Sequence, residues 1–157
     1  VATTDIAPVV ARLVNRIQSV ANIGLVWDHD VYNRKDLRAS VVSSIGGIPT
    51  FRAWCITGPS LDAKNMVQRP GGVIERTWVY TIYGIEGLNA DGSSILTLRT
   101  NALAVCDAID ADPMLNQTVH RSEPCVWRTP PENRTAWAGI GASYMSFDKK
   151  VVTLSTP

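Results

Sequence analysis

The chain has 157 residues, of which 45% are apolar and 18% charged, with a formal net charge of +1. That length suits one domain with a sizeable core, and so small a charge argues against nucleic acid as a main partner. No apolar run approaches the roughly 20 residues that span a bilayer, which excludes a transmembrane helix.

Thr4 or Asp5 caps a first helix, with Pro8 in its opening turn, where a missing N–H costs little. Ile6, Val9, Val10, Leu13, Ile17 and Val20 or Ala21 form its apolar stripe, and Asn22 and Gly24 stop it. A short strand opens at Leu25-Val26-Trp27 and runs to about Val31. Asn33 then caps a third, short helix with Leu37, Val41 and Ile45 four apart and Arg34, Lys35 and Arg38 exposed. A strand from about Thr50 to Thr57 carries Phe51, Trp54 and Ile56. Residues 58–72, GPSLDAKNMVQRPGG, read as one long irregular loop, and loops of that length are usually functional or mobile.

The central unit follows. Ile74, Trp78, Tyr80 and Ile82 alternate with Glu75, Thr77 and Thr81, which predicts a half-buried strand. After Asn89-Ala90-Asp91-Gly92 the period changes. Ile95, Leu98, Ala102, Val105, Cys106 and Ile109 share one helical face, capped by Asp91 or Ser93 and closed by Asp112-Pro113. Val119 to about Arg128 reads as a strand interrupted by Pro124, as at an edge or bulge. Residues 129–139, TPPENRTAWAG, form a second irregular loop. Ile140 to Leu154 gives a final strand or hairpin with Asp148-Lys149-Lys150 at its polar midpoint. The order predicts a single α+β domain over residues 1–157: a mainly antiparallel or mixed sheet, two main helices on one face, and the third short helix. Its core should hold Trp54, Trp78, Ile82, Leu98, Val105 and Ile109.

The candidate chemistry is thin. Asp28-His29-Asp30 has metal-ligand residue types, but strand alternation points the aspartates one way and His29 the other. His120, Glu123 and Cys125 invite a nucleophile–base reading that the same alternation and Pro124 oppose. Gly139-Ile140-Gly141 lacks the third glycine of a dinucleotide fingerprint, and Pro70-Gly71-Gly72 is a turn. Cys55, Cys106 and Cys125 lie in apolar runs, as reduced, buried thiols would. No secretory signal is expected, so the sequons at Asn116 and Asn133 count as chance matches. No catalytic, cofactor-binding or metal-binding residue is assigned.

The segments DIAPVVARLVNRI, ERTWVYTIYGIEGL, DGSSILTLRTNALAVCDAI and ASYMSFDKKVVTLS cover most of the chain's predicted elements. Together they resemble the tail terminator (tail completion) proteins of long-tailed bacteriophages, a family related to other neck proteins. The resemblance implies a structural virion protein, assembled in the host cytoplasm, that caps the tail tube as a homohexameric ring. Its partners would be the tail tube protein and the head–tail connector, with DNA passing through the lumen without sequence-specific contact, and no cofactor or membrane. A head-closure or adaptor protein of the same neck is the alternative. An enzyme would instead need polar groups converging from 58–72 and 129–139. A small-molecule binder would line a pocket with Trp127, Trp137 and Tyr144. Within the ring reading, the 58–72 loop is the contact element. Leu61, Met66 and Val67 anchor it, while Lys64 and Arg69 reach carboxylates of a neighbour or the tube. Residues 61–69 are expected to lie outside the core.

Overall fold

Val9, Leu13 and Ile17 recur every four residues, and helix α1 (Ala7–Gln18) buries all three. The computed structural model describes residues 7–29, 42–45, 48–88, 93–137 and 140–155. Asn22 and Gly24, both at positive φ (57° and 85°), turn the chain out of α1 into β1 (Leu25–Trp27). A Cβ on Gly24 would lie 2.4 Å from the carbonyl oxygen of Arg52, so only glycine fits there. The strands β2 (Val42–Ile45), β3 (Ile48–Gln68) and β4 (Ile74–Gly87) precede helix α2 (Ser93–Asp110). The short β5 (Arg121–Ser122), β6 (Val126–Trp137) and β7 (Ile140–Ser155) complete the chain.

These seven strands make one curled, mixed sheet in the order β1-β3-β4-β7, with β5 and β6 both on the far side of β7 and β2 on β3. Only β1–β3 is parallel. Strands β4 and β7 pair without a break from Ile74↔Ser155 to Gly87↔Ala142. Cross-strand partners share a face, so Trp54, Gly84 and Met145 lie together, as do Ile56, Ile82 and Phe147. That face meets Val9, Leu13 and Ile17 of α1 and Leu98, Ala102, Val105 and Ile109 of α2 in the main core. Trp54 lies flat over Gly84, where an added Cβ would come within 2.5 Å of the indole. The opposite face buries a smaller set, Ala53, Ile85 and Ala142, under Leu25, Trp27, Phe51 and Tyr144.

Polar bonds fix the ends. Arg52 grips Glu86 through two bonds of 2.6 and 2.8 Å and donates to the carbonyl of Asn22. Arg12 of α1 reaches Asp112 beyond α2 at 2.8 Å. Past α2, Leu115, Asn116 and Gln117 are all left-handed, a conformation costing roughly 1–2 kcal/mol for each non-glycine residue. Burial of Leu115 and the bond from the Asn116 N–H to Asp112 Oδ1 offset that cost. Burial alone would raise the Asp112 carboxyl, but the Asn116 N–H and Arg12 outweigh it and hold it below the usual range.

Several expectations are corrected. The described residues contain two helices, not three, and the sheet is far larger than expected. Of the expected third helix, residues 33–41 lie outside the described residues, and Val42–Ile45 is strand β2. Residues 58–72 are not one loop: β3 continues to Gln68, and two irregularities absorb the residues that read as breakers. One follows Thr57 at the cis Gly58-Pro59 bond, and the other takes up residues 62–65 between Leu61 and Met66. The true connection is a short turn closed by the Arg69 N–H on the Val73 carbonyl, with Gly71 and Gly72 at positive φ. Residues 129–137 likewise belong to β6, whose register shifts between Trp127 and Asn133. Of the two forms expected for the last segment, strand or hairpin, it is one strand, Ile140–Ser155. Of the expected core, Trp54, Ile82, Leu98, Val105 and Ile109 are buried, while Trp78 is half-buried against it.

Candidate functional site

The far ends of β3 and β4, with the end of β7 paired alongside β4, form a three-stranded arm tipped by residues 69–73. The five residues expected to make contacts lie on or at the end of β3, but not on one surface. Leu61 pairs with Trp78 and Met66 with Arg76, which puts both on the helix side; Val67 pairs with Glu75 on the opposite side. All three are exposed, Val67 by 51%. Lys64 lies on β3 with its side chain outside the described residues. Within this chain Arg69 is ion-paired to Glu75. Glu75 also accepts from Arg121 at 3.1 Å, so the end of the arm is tied to β5. Burial would raise the Glu75 carboxyl, but hydrogen bonds from Arg121 and Arg69 hold it below its ordinary 4.5. Replacing 61–69 by a flexible linker would therefore remove sheet pairing and an ion pair as well as the exposed side chains.

A second cluster was missed. Met145, Phe147 and Val151 face the core, and the same alternation carries Lys149 inward to 1% exposure. Its Nζ donates to Asp110 Oδ1 at 2.7 Å and to the Glu123 carbonyl at 2.6 Å. Asp110, in the last turn of α2, also accepts from the Cys125 backbone N–H at 3.1 and 3.2 Å. The Cys125 Sγ lies 3.3 Å from Asp110 Oδ1. Cys106 sits one helical turn before Asp110, and its sulfur meets the Cys125 thiol and the Trp127 indole N–H. Bonding from Cys125 pushes the Cys106 thiol down, with Trp127 adding to the effect; donation to Cys106 and burial push Cys125 up. The block Asp148-Lys149-Lys150 reads as a polar midpoint, which hid the one signal available, the period of two through residues 145–151.

The other candidates separate. Asp28 Oδ1 meets His29 Nδ1 at 2.5 Å on an exposed segment, and Asp30 lies outside the described residues. His120 and Glu123 are exposed, bonded through their backbone N–H groups to the carbonyls of Val152 and Lys150. Among the described residues, no group of three His, Cys, Asp or Glu could hold a metal ion. Arg34, Lys35 and Arg38 lie outside the described residues. The segments 58–72 and 129–137 do not converge, since β4 and β7 separate β3 from β6. Trp127 and Tyr144 pack in different places, by Cys106 and on the opposite sheet face; the Trp137 side chain lies outside the described residues. An open depression of about 410 Å³ lies elsewhere, lined by Ala11, Val14, Val26, Trp27 and Asp28. No described helix is long and apolar enough to cross a membrane. Compared with protein-family models and with characterised proteins, the chain matches none.

Proposed function

We propose that this chain is a structural subunit of a bacteriophage tail terminator. Six copies close as a ring on the end of the tail tube and join it to the head–tail connector, leaving a lumen for DNA. The reading assigns no catalysis. What supports it is the pair of open edges on one sheet. Among the described residues, β3 from Ile56 to Gln68 pairs only with β4, and β6 pairs only with β7. Unpaired edges are templates for another chain; this one is long, with Pro59 and two bulges interrupting it. Three antiparallel steps separate β3 from β6, so the two run antiparallel to each other. A copy brought alongside by rotation would set its β3 against β6 and continue the alternation. Such a head-to-tail contact closes into a ring when the rotation closes. Exposed Leu61, Met66 and Val67 flank one edge, and Val126 and Trp127 begin the other. A head-closure or adaptor ring could use the same edges, and the end of the tube that is bound separates the two.

The test keeps the strands paired and alters only their exposed side chains. Met66→Glu with Leu61→Glu should leave the circular dichroism spectrum unchanged. It should hold the protein as monomer in solution and on purified tails, where the wild type forms rings seen by electron microscopy. Normal rings and tails of uniform length from the double variant would reject this interface.

A further inference from the structure

We propose that Cys106 and Cys125 are a reversible dithiol site, oxidised to an intramolecular disulfide by exchange with a small-molecule disulfide. Three elements converge to build it. The Asp110 carboxylate pins the backbone N–H of Cys125 at 3.1 and 3.2 Å, and so holds the connection before β6 over the last turns of α2. Cys106 lies four residues before Asp110, on the same helical face, and both sulfurs pack against one apolar cluster. Lys149, bonded to Asp110 and to the Glu123 carbonyl, fixes that connection from the third side. Cys106 is buried beneath Trp127, which has 36% of its surface in solvent, so displacement of that indole is the way in for a small reagent.

The low-lying Cys106 thiol is the attacking group, because the thiolate is the nucleophile. Its sulfur attacks one sulfur of the reagent RSSR. A Cys106–SR bond forms, and the departing RS⁻ takes up the proton that Cys106 released. The Cys125 thiol keeps the second proton at this stage, its sulfur 3.3 Å from Asp110 Oδ1. Cys125 then attacks the Cys106 sulfur, the protein disulfide forms, and the second RS⁻ leaves with that proton. Two protein thiols are oxidised and one RSSR is reduced to two RSH. The product staples the end of α2 to the start of β6, closing the segment between residues 106 and 125. Cys55 is the internal control: it is buried on the face of β3 opposite Trp54, across from Tyr83. The inference does not depend on the ring reading.

The reduced full chain is incubated at pH 8 with bis(2-hydroxyethyl) disulfide, without denaturant, and followed by intact mass and non-reduced peptide mapping. The expected product has lost two hydrogens, carries a Cys106–Cys125 crosslinked peptide, retains the Cys55 thiol, and reverts with dithiothreitol. Cys125→Ser should stop at a mixed disulfide on Cys106, and Cys106→Ser should give no loss of two hydrogens. The oxidised wild type should also melt higher than the reduced form. Persistence of both thiols in excess reagent, a crosslink through Cys55, or a Cys106–Cys125 bond formed only in urea would overturn the proposal.

Discussion

One sheet serves two regions of opposite character. Under the helices, the β3–β4–β7 face is sealed by α1 and α2, and Lys149 on that face is buried and bonded to two acceptors. At the arm, β3, β4 and the end of β7 run on beyond the main core, Leu61, Met66 and Val67 face solvent, and the ion pairs join half-exposed arginines to Glu75. The backbone hydrogen-bonding scheme is common to both, so the difference lies in what covers the strands. It teaches that sheet pairing alone does not set local stability. One end carries the main core, and the other leaves Leu61, Met66 and Val67 exposed.

The sharpest break of this comparison is Lys149→Met. It should destabilise by about 3–5 kcal/mol, read from urea unfolding at neutral pH, because Asp110 loses its partner at a largely enclosed site. A loss below about 1 kcal/mol would mean that Lys149 is not held as described. Leu98→Ala, at a residue buried between α2 and the sheet, should cost about 2–5 kcal/mol by emptying space in a close-packed core. Gly84→Ala should cost about 1–3 kcal/mol, since the Trp54 indole must move off the strand. Substituting a smaller ring at Trp54 in that background should recover part of the loss.

At the arm the effects shrink and depend on pH. The folded Glu75 carboxyl lies below its ordinary 4.5, so its contribution is complete above that value and is lost as pH falls through the folded one. Glu75→Gln should therefore lower stability at pH 7 and flatten the loss on acidification below about 4.5. Asp112, also held low, leaves the variant some acid sensitivity. Equal acid slopes for wild type and variant would show that the Arg69 and Arg121 contacts do not set that carboxyl. Smallest of all, Val67→Ser should change stability by no more than about 0.5 kcal/mol, as for an exposed side chain without a special role. A larger loss would mean that the arm is a stabilising part of the monomer.

Periodicity and stop signals were enough for α1, α2 and the apolar faces they bury. Val9, Leu13 and Ile17, and Leu98, Ala102, Val105 and Ile109, repeat at helical spacing over several turns, and that pattern needs no distant partner to be read. The alternation at Ile74–Ile82 and the turn at Pro70-Gly71-Gly72 are local in the same sense. Only tertiary pairing decided the rest. Glycine and proline at 58–59 and the polar run at 62–65 break local strand pattern, yet β4 offers a continuous ladder, and bulges let β3 follow it past both. The polar residues of 129–135 are drawn into β6 in the same way by β7. Lys149 is buried because its neighbours on alternate positions are core residues and because Asp110 and the Glu123 carbonyl, far away in sequence, are there to meet it. The meeting of Cys106 with Cys125 has the same origin. A local pattern records which face a residue takes, whereas the partners that make a bulge or a buried charge tolerable come from elsewhere in the chain and exist only once it has folded.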